Sequence, residues 1–205
     1  EELAETDPEV AHDLADRLLD GPGLDQDVAA GLRWMRSAAD RGHASALTYL
    51  GVLHWYGKFV DEDRERAIEL YRRAMEFGAP YAVANVGFAT LAGDGVPRSH
   101  DRAIELLRSA AERGNAHAAL WLAARYLDGE DGMPRDDAEA VRLLELCAAE
   151  EEDGEVLFLL AELVRDGRGT SQDLPRALER FELAEINGSD SRVERGQIRR
   201  QLRRS

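Results

Sequence analysis

The chain is short of most things that catalysis or membrane residence uses. It has one cysteine, Cys147, so no internal disulfide can form, which favours a reducing compartment. Lysine occurs once, at Lys58, which removes Ser-x-x-Lys chemistry. Aromatics are only 6% of residues, and abundant alanine points to helices packed closely on small side chains. No apolar run approaches the roughly 20 residues a bilayer span requires. Basic residues are scarce, 26 against 41 acidic, for a net charge of −15. So acidic a surface repels phosphate backbones, which argues against nucleic acid, and attracts basic partners. No signal peptide is visible, and the chain opens on Glu1 rather than methionine, as a processed or truncated end would. These features set the expectation of a cytoplasmic protein.

Catalytic motifs are also missing. There is no Gly-x-x-x-x-Gly-Lys phosphate loop, no His-Glu-x-x-His and no Gly-x-Ser-x-Gly. The five histidines, His12, His43, His54, His100 and His117, are dispersed and lack metal-ligand spacing, so neither a metal nor a cofactor is expected. His54 reads as a core or semi-core residue, because sister positions hold Tyr126 and Val164. Cys147 reads as a small buried filler. The expectation is a protein that is not an enzyme.

What the chain does have is a ruler. Gly21, Gly57 and Gly93 lead to Gly129 in steps of 36, and Gly167 follows after 38. Gly42, Gly78 and Gly114 repeat at the same 36. A constant period of this length means stacked repeats. Within each period apolar residues recur four apart, as in Ala46 and Leu50, Ala82 and Val86, Ala118 and Leu122, which is helical spacing. Glycine then ends the helix in a left-handed conformation. A short polar residue suited to capping follows: Asp27, Asp63, Ser99, Asp136 and Asp173. A second helix begins around Ala67, Ala103, Ala140 and Ala177. Small residues at Gly51, Gly87, Ala123 and Ala161 mark expected helix crossings.

Each unit therefore predicts a helix–turn–helix, and five are expected, at 6–41, 42–77, 78–113, 114–151 and 152–187. Residues 188–205 carry six arginines against Asp190 and Glu194. With Val193, Ile198 and Leu202 they predict a basic terminal capping helix. Three readings of this tail stay open: a solvated cap, a segment folded on the acidic groove end, or a lipid or nucleic-acid contact.

The pattern is carried best by Ala82 to Gly87, Gly93 to Val96, Arg102 with Ala103, and Ala110 to Gly114. It resembles the Sel-one-like repeat, a relative of the tetratricopeptide repeat. That resemblance implies an all-α fold, a right-handed α/α superhelix or solenoid that serves as an adaptor or scaffold. Ser99 departs from the family's usual Asp, and the 114–151 unit is two residues longer. Relatives in oxidising compartments often carry two cysteines per repeat, which this chain lacks.

The face of each first helix opposite its core stripe predicts a groove. It would hold Tyr49, Val52 and Tyr56, then Tyr81, Asn85 and Phe88, then His117, Trp121 and Asp128. Glu9, Asp13, Asp16 and Asp20 would line one end, and Glu155, Glu162 and Asp166 the other. An aromatic middle with acidic ends points to a basic, partly apolar peptide or protein segment as partner. Asn85 would hydrogen-bond an extended backbone. The alternative is an immunity or inhibitor protein neutralising a basic toxin or effector. Hydrolysis of the kind ascribed to cysteine-rich relatives ranks last.

Overall fold

The computed structural model describes residues 5, 7–19, 26–130, 132–150 and 153–203. These form helices and no strand. The chain divides into two compact units, Glu1–Leu106 and Leu107–Ser205. In the first unit α1 (Pro8–Leu19) packs on α2 (Val28–Asp40), and α3 (Ala44–Tyr56) on α4 (Arg64–Glu76). The links α2 to α3 and α4 to α5 (Pro80–Ala92) are also packed. The boundary falls within α6 (His100–Ala111). In the second unit α7 (Ala116–Asp128) pairs with α8 (Asp137–Glu150), and α9 (Gly154–Asp166) with α10 (Leu174–Ile186). There α8 also packs on α9, and α11 (Arg192–Leu202) closes on α10.

Helix ends follow the expected chemistry. Asp27, Asp63, Ser99, Asp136 and Asp173 each accept, through a side-chain oxygen, from the backbone N–H three residues on, at 2.8–3.4 Å. Each satisfies a donor that the first helical turn leaves orphaned. The same residues donate their own N–H back to Leu18, His54, Thr90, Tyr126 and Val164, at 2.8–3.1 Å. That second bond clamps the two helices of a hairpin, so one residue type at one register does two tasks. Second helices close with a paired motif. The His43 N–H reaches the Ala38 carbonyl and the Gly42 N–H reaches Ala39, and the arrangement recurs at Ala79, Asn115 and Ser189. A left-handed residue must sit between the two bonds, and Gly42, Gly78, Gly114 and Gly188 supply φ of 83–99°.

The two helices of a hairpin bury different amounts of surface. On α4 the buried set is Ala67, Ile68, Leu70, Tyr71 and Ala74, a single stripe. On α5 it is Ala82, Val83, Ala84, Val86, Gly87, Ala89 and Thr90, so that helix is covered on most sides. Gly51 lets α4 approach closely, since a Cβ there would collide with the ring of buried Tyr71. Burial holds the Tyr71 phenol well above its usual pKa, the Tyr56 hydroxyl adds to this, and a hydrogen bond with Asn85 opposes it. Cys147 is buried, and its thiol donates to the Ala111 carbonyl at 3.3 Å.

In the tail, only Ile198 of the three apolar residues expected to dock is buried, against Ala161, Val164, Ala177 and Phe181. Val193 is 64% exposed. Arg195 and Arg199 pair with Glu185 and Glu182 of α10, both at 2.6 Å, and Arg192 pairs with Asp190 at 2.7 Å. The tail therefore docks on both α9 and α10, and its arginines pair with Glu182 and Glu185 rather than with Glu155 or Glu162.

Candidate partner-binding surface

In the first unit, helices α1, α3 and α5 and the α4–α5 turn enclose an open groove of about 780 Å³. Of the residues expected to face a partner, Tyr49, Val52, Tyr81 and Asn85 line it together with Asp16. Tyr81 is 50% exposed. Tyr56 and Phe88 do not line it: Tyr56 is 73% exposed at the end of α3, and Phe88 is half-buried. Asp20 and Gly21 lie outside the described residues. Asn85 hydrogen-bonds Tyr71, so part of its amide capacity is used inside the fold.

Phe77 and His12 line the groove, and His43 lies beside it, although periodicity did not point to them. Phe77 closes α4, exposes 56% of its surface, and sets its ring 2.8 Å from where a Cβ on Gly42 would lie. Its only signal is an aromatic where sister positions hold Arg41 and Arg113. His43 is the N-cap of α3: its Nδ1 accepts from the Ala46 N–H at 3.1 Å. The ring proton therefore sits on Nε2, which donates to Glu9 at 2.8 Å. His12 lies over it, with ring centroids 4.6 Å apart. Burial, then the His43 neighbour, lower the His12 pKa, against the pull of Asp16, Asp13 and Glu9.

In the second unit the expected residues behave differently. Trp121 is half-buried under the Arg125 guanidinium, 4.2 Å from the ring centroid. His117 and Asp128 are exposed on α7, and Glu155 is exposed on α9. Glu162 pairs with Arg165 at 3.6 Å, and Arg165 also holds Asp166 at 2.7 Å. The Asp166 carboxyl is pushed below its usual range by that arginine. Glu162 and Asp166 of α9 therefore already share a cation of their own. Among the described residues, no group of three or more His, Cys, Asp or Glu side chains could hold a metal ion. Nor is any helix long and apolar enough to cross a membrane.

The Sel1 repeat pattern matches residues 8–43, 44–76, 80–115, 116–151 and 154–189. The chain belongs to the Sel1 repeat family. Its fold class is the all-α solenoid of that family. A Sel1 repeat protein from Oxalobacter formigenes has a solved structure with a TM-score of 0.76 and 27% identity, over 89% of this chain and 74% of that one. The protective antigen c5321 of uropathogenic Escherichia coli, which displays an SLR fold, gives a TM-score of 0.70 and 29% identity. There the Sel1 chain is covered to 89% but spans only 38% of the antigen. The immunity protein Pa5087 from Pseudomonas aeruginosa shares the fold, with a TM-score of 0.60 and 19% identity over 86% of this chain and 64% of that one. No curated protein matches the chain.

Proposed function

We propose that this Sel1 repeat protein is a non-catalytic interaction module that binds a basic, partly apolar segment of another protein. Supporting this is the first-unit groove, where Tyr49 and Tyr81 offer aromatic surface beside the Asp16 carboxylate. Aromatic anchors with defined shape carry much of the energy at protein interfaces. A carboxylate at the edge selects and steers a cationic partner. In the second unit His117, Trp121, Asp128, Glu155 and Glu162 offer a candidate surface of their own. The working repeats are 6–41, 42–77, 78–113, 114–151 and 152–187, with 188–205 as a terminal cap, and a reducing cytoplasmic setting suits the lone buried cysteine. An immunity role draws no separate support, since the likeness to Pa5087 at 19% identity speaks for the fold alone.

The test is a panel of extended peptides, basic or acidic, with and without aromatic residues, titrated calorimetrically at low and high salt. Basic, aromatic-containing peptides should bind best and weaken as salt rises. Replacing Tyr49 and Tyr81 with Ala should weaken binding by roughly thirtyfold or more. Preference for acidic peptides, or full binding by that double variant with its helicity intact, would refute the proposal.

A further inference from the structure

In the first unit His54 and His100 each keep a buried ring nitrogen without a partner, and His54 is the one that lines the two cavities described below. His54 lies near the end of α3, and neither ring nitrogen makes a hydrogen bond among the described residues; Nδ1 is buried. The repeat supplies its own controls at this register. Thr90 donates its hydroxyl to the Val86 carbonyl at 2.6 Å. The Tyr126 hydroxyl accepts from Arg108. Val164 is apolar and needs nothing. Arg108 precedes Tyr126 by 18 residues, and Arg36 precedes His54 by the same interval. The first unit thus keeps the arginine of this pair, yet Arg36 is exposed and makes no bond to the imidazole.

Two cavities meet at Arg36 and His54. The smaller, about 200 Å³, is walled by Arg36, His54, Arg66 and Arg73, with Asp40 also present. Arg66 pairs with Glu69 at 2.7 Å, and Arg73 donates to the Ala39 carbonyl at 3.3 Å, which leaves further N–H groups on both guanidinium forks. The larger cavity, about 730 Å³, is walled by Arg36 and His54 again, with Phe59, Asp61 and Asp63. Phe59 has a φ of 64° and is the one non-glycine residue with a positive φ among those described. Its register holds Gly95 and Gly169 in sister units, both with φ of 68°. A bulky residue in that conformation is strained, and such outliers cluster at ligand sites.

We propose that α2, α3 and α4 form a binding site for a phosphate-type oxyanion, held by Arg36, His54, Arg66 and Arg73, with Phe59 walling the space beside it. Guanidinium groups are donors only, and an oxyanion is the acceptor that suits their planar fork. The smaller cavity is below the roughly 300–1,000 Å³ of sites that enclose a drug-sized ligand, so it takes an anionic group rather than a whole cofactor. Net charge opposes an anion at long range, but physiological salt screens that field beyond about 8 Å and leaves the local arginines to decide.

The test titrates the 205-residue chain with orthophosphate and with phenyl phosphate, with ionic strength held constant by sodium chloride. Calorimetry and the His54 ring resonances are the readouts. A saturable response is expected, weakened about tenfold or more by Arg36→Gln and by His54→Thr, with helicity unchanged. Thr is the residue the next repeat carries, so the second variant suits the fold. Tighter binding of phenyl phosphate would assign an organic phosphate lying along Phe59; equal or weaker binding would assign the free ion. A response no larger than that to chloride, or one both variants retain in full, would overturn the site.

Discussion

Ion pairs in the two units run in different directions. In the second they join the second helices of successive repeats: Arg176 and Arg180 of α10 both reach Glu145 of α8, at 2.9 and 2.8 Å. Arg142 of α8 reaches Glu112 at 3.3 Å, and Arg135 and Arg168 share Asp137 at 3.1 and 3.0 Å. In the first unit the pairs are mostly local, such as Arg66 with Glu69 and Arg64 with Glu62; Arg64 with Asp94 reaches further. Exposed pairs contribute only about 0–1 kcal/mol each, so the contrast says little about stability. It bears on availability. In the second unit Arg135, Arg142, Arg165, Arg168, Arg176 and Arg180 pair with carboxylates of that unit, whereas the first leaves Arg36 and His54 without partners and keeps Tyr49 and Tyr81 along an open groove.

The largest expected effect separates the units by core packing. Phe181 is fully buried with Ile198 and meets Phe158 edge-on at 5.2 Å. Phe181→Ala should cost about 3–5 kcal/mol. Hydrogen exchange should accelerate across 154–202 and stay unchanged across 8–92; an equal response in both regions would break the comparison.

A smaller effect comes from one register read in both units. A Cβ at Gly169 would collide with the Asp137 carbonyl, and its φ is already left-handed. Gly169→Ala should cost about 2–4 kcal/mol by urea denaturation. Phe59→Gly should shift stability by no more than about 1 kcal/mol, because relief of backbone strain offsets lost ring contacts.

Acid titration gives the smallest effect and sharpens the contrast. The folded His12 pKa is lowered, so the unfolded chain takes up the proton first. Its contribution is complete above about pH 6.5 and is lost as pH falls through the folded value. Asp137 is held below the usual carboxylate range by Arg135, then Arg168. Its contribution is complete above about pH 4 and is lost only at lower pH. Exchange corrected for intrinsic rates should therefore loosen the first unit between pH 7 and 5, before the second. His12→Asn should remove the early phase and Asp137→Asn the late one.

Helix ends were legible because they depend on local chemistry. Asp63 caps α4 and Gly57 ends α3 through bonds spanning only a few residues, so residue type at a given spacing suffices. Stripe counting also placed Tyr49, Val52, Tyr81 and Asn85 on one surface. It failed where a side chain's partner lies on another helix. Glu9 read as a free acid, yet it accepts from His43, which is 34 residues away. It failed within one helix as well: Trp121 was placed on the partner-facing side, yet Arg125, one turn on along α7, covers its ring. Phe77 was invisible because it belongs to a helix end rather than to the stripe.

The period, the hairpin, the caps and the all-α class follow from the order of residues alone, since each rests on contacts within one or two turns of backbone. Which arginines are consumed and which remain available was decided by tertiary structure. Long charged side chains reach several ångströms in many directions, and only the placement of neighbouring helices selects among them. For the same reason an imidazole that looked like core filling stands unpaired among guanidinium groups.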